Sequence, residues 1–203
     1  MKKYIYEAKN YAEAKRKALT ELELDEKNVI INIIEEKQGL LKKSTKIEVI
    51  TINDVLSYLK NKINEILKIM NIESNLEVRR NDENIEINIF SNHNSILIGK
   101  EGRILDSLQS IMRQVLQKET ASDLKLILDV ENYKEHRITN IERTARKIAR
   151  EVAKTKVEAN LEPMNSYERR IVHNTLSKNK YVYTESIGEE PNRYVAIKLK
   201  EES

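Results

Sequence analysis

The sequence contains no cysteine and no tryptophan, and it has only four glycines, two prolines and one phenylalanine. The absence of cysteine excludes disulfide bonds and thiolate metal sites, which fits a reducing cytoplasm. The three histidines, His93, His136 and His173, are scattered along the chain and lack the spacing of a zinc site. With so few aromatic residues, any core must consist mainly of isoleucine, leucine and valine.

Long hydrophobic runs are also missing, and no segment approaches the roughly 20 apolar residues of a membrane-spanning helix. The start of the chain, MKKYIYE, is charged and then amphipathic, unlike the apolar region of a signal peptide. The net charge is only +3, so any binding site for a polyanion must be a local basic patch. We therefore expect a cytoplasmic protein without a transmembrane segment, a metal or a cofactor.

The hydrophobic periodicity predicts an α+β fold of three small domains. Residues 1–51 have the pattern strand, helix, strand, strand, with Gly39 supplying the last turn. Residues 52–130 follow the order α-β-β-α-α-β, and the first two of the three strands form a hairpin with a turn around Asn81–Asp82. Residues 131–203 form a C-terminal α/β domain of two helices followed by two strands.

Helix ends and faces can also be predicted. Asn53 or Asp54 is placed to cap the first helix of the second domain, and its apolar face extends to Met70. The long helix of the third domain is expected from about Glu131 to Glu158. Its expected buried stripe consists of Ile138, Ile141, Ala145, Ile148 and Val152.

Gly99 and Gly102 interrupt an apolar helical pattern in the stretch ILIGKEGRILDSL. Glycine within a helix costs about 1 kcal/mol relative to alanine, so this pair suits a place where a ligand approaches the backbone. A sugar–phosphate chain could lie against Gly99, Lys100, Glu101 and Gly102 while the amides of the next helix point at it. Lys100 and Arg103 add positive charge at the same spot.

A plain helix–helix turn is the alternative interpretation of this tetrapeptide. It is neither a Walker A loop nor a dinucleotide-binding fingerprint. The surrounding order, with a hairpin before it, helices on either side and a strand after it, is that of a type II KH domain. In that fold this loop clamps about four nucleotides of single-stranded nucleic acid.

A second candidate site lies in the third domain, where Arg169 and His173 are four residues apart on one helical face. A guanidinium beside an imidazole can bind a phosphate, although a solvated helix face is the alternative. The preceding helix carries a basic stripe, which Glu142 and Glu151 are too few to neutralise. The stripe consists of Arg143, Lys147, Arg150 and Lys154, with Arg146 adjacent.

Two tyrosines, Tyr181 and Tyr183, alternate on a predicted strand and therefore share one face. They could stack on bases or form the edge of the core, and the sequence leaves both open. His93, before the glycine pair, is expected to be a capping or surface residue.

The segments LIGKEGRILDSLQ, DVENYKEHR, LEPMNSYERRIVH and TESIGEEPNRYVAI resemble the Jag (SpoIIIJ-associated) family of bacterial RNA-binding proteins. That family combines a Jag N-terminal domain, a type II KH domain and an R-x-x-x-H domain. The resemblance spans the chain with boundaries 1–51, 52–130 and 131–203. Two features depart from the family: Leu40 stands where an aromatic residue commonly follows the glycine, and the linker before the KH domain is nearly absent.

The resemblance implies binding of single-stranded RNA, with single-stranded DNA left open. It adds Arg170, within the R-x-x-x-H signature, and Arg193, beside that surface, to the candidate binding residues. It also implies a small KH-only protein partner and a role near cell elongation, division or sporulation. A homodimer and membrane-associated partners of the N-terminal domain are left open.

The leading hypothesis is therefore a non-enzymatic RNA-binding adaptor. A nuclease using His173 as general acid or base is the rival, but the sequence offers it no carboxylate cluster and no nucleophile motif. A third interpretation is a protein-interaction scaffold whose KH fold serves mainly for dimerisation.

Overall fold

The computed structural model describes residues 1–38, 43–81 and 84–200, and the chain divides into two compact units. Unit 1 comprises residues 1–131 and unit 2 comprises residues 132–203. The chain combines helices with three small three-stranded sheets, which confirms the predicted α+β class. Three sequence predictions concern residues outside the described ranges. They are the turn at Gly39, the departure from the family at Leu40, and the part of the hairpin turn at Asp82.

The N-terminal part of unit 1 is a sheet with one helix packed on it. The strands are β1 (Tyr4–Ala8), β2 (Val29–Gln38) and β3 (Lys43–Thr51), and the helix is α1 (Tyr11–Leu22). β3 lies in the centre and pairs antiparallel with both neighbours. Asn10 caps α1 by accepting the amide hydrogen of Glu13. The small core consists of Tyr6, Ala14, Ala18, Ile47 and Val49.

The second part of unit 1 places two long helices against another three-stranded sheet. Its elements are α2 (Ile52–Ile69), β4 (Ser74–Asn81), β5 (Asn84–Ser91), α3 (Asn94–Ile98), α4 (Arg103–Thr120) and β6 (Lys125–Val130). β5 is central, antiparallel to β4 and parallel to β6. The Arg113 guanidinium donates to the Leu126 carbonyl at 2.7 Å, and this bond ties α4 to β6.

Two predictions about α2 are wrong. Thr51, rather than Asn53 or Asp54, caps the helix, because its Oγ1 accepts the Asp54 amide hydrogen at 3.1 Å. Thr51 is also the last residue of β3, so the strand runs directly into the helix. Met70 does not belong to the buried face, because α2 ends at Ile69 and the Met70 side chain is 39% exposed.

Hydrogen bonds join the two parts of unit 1. The Asn32 side chain donates to the carbonyl of Thr120, at the end of α4, at 2.9 Å. The Arg80 guanidinium donates to the Asn28 side chain at 3.1 Å. The predicted boundary between residues 51 and 52 therefore falls at a continuous strand–helix junction inside one compact unit.

Unit 2 packs two helices on one face of its own sheet. Its elements are α5 (Tyr133–Thr155), β7 (Ala159–Asn160), α6 (Ser166–Leu176), β8 (Val182–Ile187) and β9 (Tyr194–Leu199). β9 is central and antiparallel to β7 and β8. The two-residue β7 was not predicted, because it is too short to show a periodicity.

The ends and face of α5 differ from the prediction. The helix is shorter because Asn132 and Lys156 adopt left-handed backbone conformations, with φ of 60° and 66°. Its buried stripe includes Ala149, which the sequence prediction omitted, whereas Ile138 and Ile148 are only half-buried.

Candidate nucleic-acid interface

In unit 1, the glycine loop is the tight connection Gly99–Gly102 between α3 and α4. Gly99 ends α3 with φ 69° and ψ −174°, a combination that essentially only glycine adopts. A Cβ atom at this position would lie 2.5 Å from Cγ1 of Ile104. Gly102 precedes α4 with φ 80° and is buried. The backbone therefore requires glycine at position 99, and at position 102 it adopts the left-handed conformation that glycine favours.

The N-terminus of α4 has no side-chain cap, because Gly102 occupies the N-cap position. The first amides of a helix have no acceptor within the helix and favour an anion there. Lys100 is exposed next to this end, and it forms no ion pair with any residue that the structure describes. Half of the Arg103 side chain is exposed as well. The first turn of α4 therefore lies next to two cations, although the amides of Gly102 and Arg103 already donate to the carbonyls of Gly99 and Lys100.

Glu101 does not share that surface, although the sequence placed it among the binding residues. Its backbone is left-handed, with φ 55°, and its side chain is only 8% exposed. The carboxylate lies 3.4 Å from the Arg103 guanidinium. Lys100 and Arg103 are consequently the charged side chains that a ligand of the loop would meet. His93 precedes α3 as an exposed residue whose side chain makes no capping hydrogen bond.

In unit 2, the Arg169 side chain is buried, so the alternative of a solvated helix face is wrong for it. Its Nη1 donates to the Met164 carbonyl and to Glu190 Oε1, both at 2.8 Å. Met164 in turn donates its amide hydrogen to the Arg193 carbonyl at 3.0 Å. The structure therefore brings Arg169 and Arg193 together around Met164. A phosphate could meet this end of Arg169 only if Glu190 moved.

His173 is held between two hydroxyl groups of β8. Nδ1 lies 2.6 Å from Thr184 Oγ1, and Nε2 lies 2.9 Å from Ser186 Oγ. Burial lowers the pKa of His173, and the positive charge of Arg169 lowers it further. The imidazole is therefore neutral at pH 7, with one nitrogen donating and the other accepting.

This environment predicts that unit 2 loses stability as the pH falls below the ordinary histidine pKa of about 6.5. At such a pH, His173 is protonated in the unfolded chain but still neutral in the folded chain. The free energy of unfolding therefore decreases as the pH falls. We expect His173→Gln to flatten this pH dependence in the full chain, as measured by hydrogen exchange of α6 and β8 at a series of pH values. The control is His136→Gln at an exposed site on α5. Equal slopes in wild type and His173→Gln would refute the prediction.

The remaining predicted residues are more accessible. Arg170 is exposed on α6, next to the buried Arg169. Arg143, Lys147 and Arg150 are exposed on α5, as the stripe predicted. Their hydrogen bonds and ion pairs remain within that helix, for example Arg143 to Asn140 at 2.9 Å. Arg193 is half-buried, and its Nε has no hydrogen-bond partner within the described ranges.

Two acidic residues that organise unit 2 were missed. Glu190 engages Arg169 from a loop, and no local pattern indicates this. Glu168 accepts the Nε hydrogen of Arg137 at 2.7 Å and the Asn165 amide hydrogen at 3.1 Å. Here a signal was available, because Asn165-x-x-Glu168 has the spacing of a capping box, which the structure contains.

Membrane-spanning and metal-binding features are absent from the described part of the chain. None of its helices combines the length and the hydropathy that crossing a bilayer requires. Within the same residues, the histidine, aspartate and glutamate side chains form no group of three that could hold a metal ion.

Family profiles match the chain in three successive segments. The Jag N-terminus profile matches residues 6–50, and the KH domain profile of KhpA and KhpB matches residues 56–129. The profile of the R-x-x-x-H domain matches residues 139–199. Together these segments follow the predicted three-part layout.

Three relatives of this chain carry the same name, and two of them align with it over nearly its whole length. The RNA-binding protein KhpB of Clostridium symbiosum is 37% identical over 206 residues, covering 97% of this chain and 91% of that protein. The RNA-binding protein KhpB of Bacillus subtilis (strain 168) is 32% identical, covering 95% and 96%. The protein of the same name from Lactiplantibacillus plantarum is 32% identical over 66% of this chain and 42% of that protein.

Proposed function

Because the chain belongs to the Jag (KhpB) family, we propose that it binds single-stranded RNA without catalysing a reaction. The main supporting observation is the glycine loop of unit 1. There, Gly99 adopts a glycine-specific conformation and Gly102 a left-handed one, before the end of α4 that has no side-chain cap. A nucleic-acid backbone can approach such a loop closely and accept its amide hydrogens, and Lys100 and Arg103 supply attraction to the phosphates.

Ile104 supports a role for the same surface in contacting bases. Its side chain packs over Gly99 and is nevertheless 44% exposed. KH loops hold the nucleic-acid backbone while the bases meet an apolar surface. We infer that a base next to the clamped phosphate lies on Ile104.

Unit 2 supplies a second binding surface in this proposal. Exposed Arg170 and the α5 stripe contact phosphates directly, as Arg193 does from its loop. Arg169 and His173 act mainly by position: the first holds Glu190 and the second holds β8. Two weak sites on one chain raise the overall affinity when one RNA strand can reach both.

The cellular setting belongs to the same proposal. We infer a cytoplasmic adaptor that acts near cell elongation, division or sporulation and pairs with a small KH-only protein. We further propose that the protein can form a homodimer through its KH fold. Its N-terminal domain can bind membrane-associated partners. A protein-interaction scaffold is the second candidate function, favoured by Ile33 and Ile34 on β2, which are 55% and 51% exposed.

The glycine loop provides the direct test. We predict that Lys100→Asp combined with Glu101→Asp weakens binding of a labelled single-stranded RNA pool by about tenfold or more, or at least about 1.4 kcal/mol. Aspartate at position 100 replaces a cation by an anion and therefore repels phosphate, whereas aspartate at position 101 keeps the charge and tolerates the left-handed backbone there. Fluorescence anisotropy across a salt series should also show a shallower salt dependence, by about 0.7 in slope for each lost phosphate contact.

Lys118→Asp combined with Glu119→Asp is the matched control, since it makes the same change at the other end of α4. It should bind nearly as well as wild type, and circular dichroism should show that both variants are folded. If the loop variant and the wild type bind equally well, the loop is not part of the RNA-binding surface. No RNA binding by the wild type would favour the scaffold.

A further inference from the structure

The sheet of unit 2 has an outward face that carries two exposed tyrosines. The inward face contributes Val182, Val195 and Ile197 to the core shared with α5 and α6. Tyr183 alternates with Val182 and is 44% exposed, and Tyr181 is 66% exposed. Because His173 contacts Thr184 and Ser186 on the inward face, the tyrosines lie on the side of β8 opposite to His173.

The backbone around both tyrosines is fixed. Tyr183 lies within β8 and pairs with Lys198 of β9. Tyr181 precedes the strand, but its amide donates to Asn179 Oδ1 at 2.9 Å and its carbonyl accepts the Lys200 amide hydrogen at 2.8 Å. The pairing of the two strands thus continues one residue before the start of β8 and one residue after the end of β9. With the backbone fixed, binding a ligand has to restrict only the two side-chain torsions of each tyrosine.

Positive charge borders the rings. Lys198 lies opposite Tyr183, and its ammonium group donates to Glu185 at 2.9 Å. Lys200 lies opposite Tyr181 and donates to the Asn179 carbonyl at 2.8 Å. Lys180 precedes Tyr181 in the chain, and the negative charges of Glu185 and Glu158 lie close enough to act on Lys198.

We propose that this outward face, formed by Tyr181, Tyr183, Lys198 and Lys200 and here called the tyrosine face, stacks two successive bases of single-stranded RNA. Alternate residues of a strand are about 6.6 Å apart, so each ring can take its own base. Aromatic rings bordered by cations are the combination that binds single strands without reading their sequence. The inference rests on the proposed RNA binding and assigns it a surface outside the R-x-x-x-H signature.

The test uses the full chain and two labelled probes, a short oligouridine and a ribose–phosphate strand of equal length without bases. Tyr181→Leu combined with Tyr183→Leu should weaken oligouridine binding about tenfold, because leucine cannot stack on a base. Tyr181→Phe combined with Tyr183→Phe should bind as wild type does, since the rings remain. Tyr11→Leu, at an exposed tyrosine of α1, is the control. The strand without bases should bind equally to all variants.

The outcomes separate this inference from the proposed function. If wild type binds oligouridine and the folded leucine variant binds it equally well, the tyrosine face is not an RNA surface, and a protein partner becomes its candidate occupant. An equal loss for both probes would overturn stacking, because the strand without bases has nothing to stack on the rings. If wild type binds neither probe, the proposed function and the tyrosine face fail together.

Discussion

Replacing Gly99 with alanine should lower the free energy of unfolding of unit 1 by about 3 kcal/mol. Two physical effects add. At φ 69° and ψ −174° a side chain strains the backbone, and the new Cβ would lie 2.5 Å from Cγ1 and 2.8 Å from Cδ1 of Ile104. Ile104 is β-branched and cannot easily turn away. Urea denaturation of the full chain, with hydrogen exchange of β5 and β6 to identify unit 1, measures the loss.

A second variant separates the two effects. Ile104→Ala removes Cγ1 and Cδ1 and by itself should have a small effect, because the side chain is 44% exposed. In the Gly99→Ala/Ile104→Ala double variant we expect about 1 kcal/mol of the loss to be recovered, as coupled neighbours show in double-mutant cycles. The strain of the backbone should remain. Strict additivity of the two substitutions would contradict the contact between residues 99 and 104.

Sequence alone identified the glycine loop because its evidence is local. Glycine is scarce in this chain, and two glycines three residues apart in an apolar helical pattern have few explanations. The order of helices and strands was equally accessible, since each long element repeats its apolar residues with one period. The sequence could not show that the Glu101 side chain points inward, because this direction depends on a left-handed backbone at a residue other than glycine.

The candidate site of unit 2 was harder to predict because its contacts are not local. Arg169 and His173 were correctly placed on one helix, yet Glu190 lies 21 residues beyond Arg169, and Thr184 lies 11 beyond His173. Spacing along a helix cannot show which strand or loop packs against it. Burial, and the lowered pKa of His173 that follows from it, is therefore a property of the folded unit only.

Glu168→Ala should have the largest effect in unit 2, lowering its free energy of unfolding by about 3 kcal/mol. The carboxylate is 7% exposed and receives hydrogen bonds from Arg137 and from the Asn165 amide. Alanine removes both the buried charge partner of Arg137 and half of the capping box at the start of α6. Hydrogen exchange of the α6 amides in the full chain is the measurement.

Glu142→Ala is the matched control, because it removes a glutamate from another glutamate–arginine pair of unit 2. Glu142 and Arg146 are 3.0 Å apart, close to the 2.7 Å of Glu168 and Arg137, but their side chains are 38% and 57% exposed, against 7% for Glu168. An exposed pair on a helix contributes only about 0.3–0.5 kcal/mol, so the control should change exchange little. The contrast isolates burial and capping from charge pairing. Equal losses for the two substitutions would contradict the assignment of Glu168 as the residue that joins α5 to the start of α6.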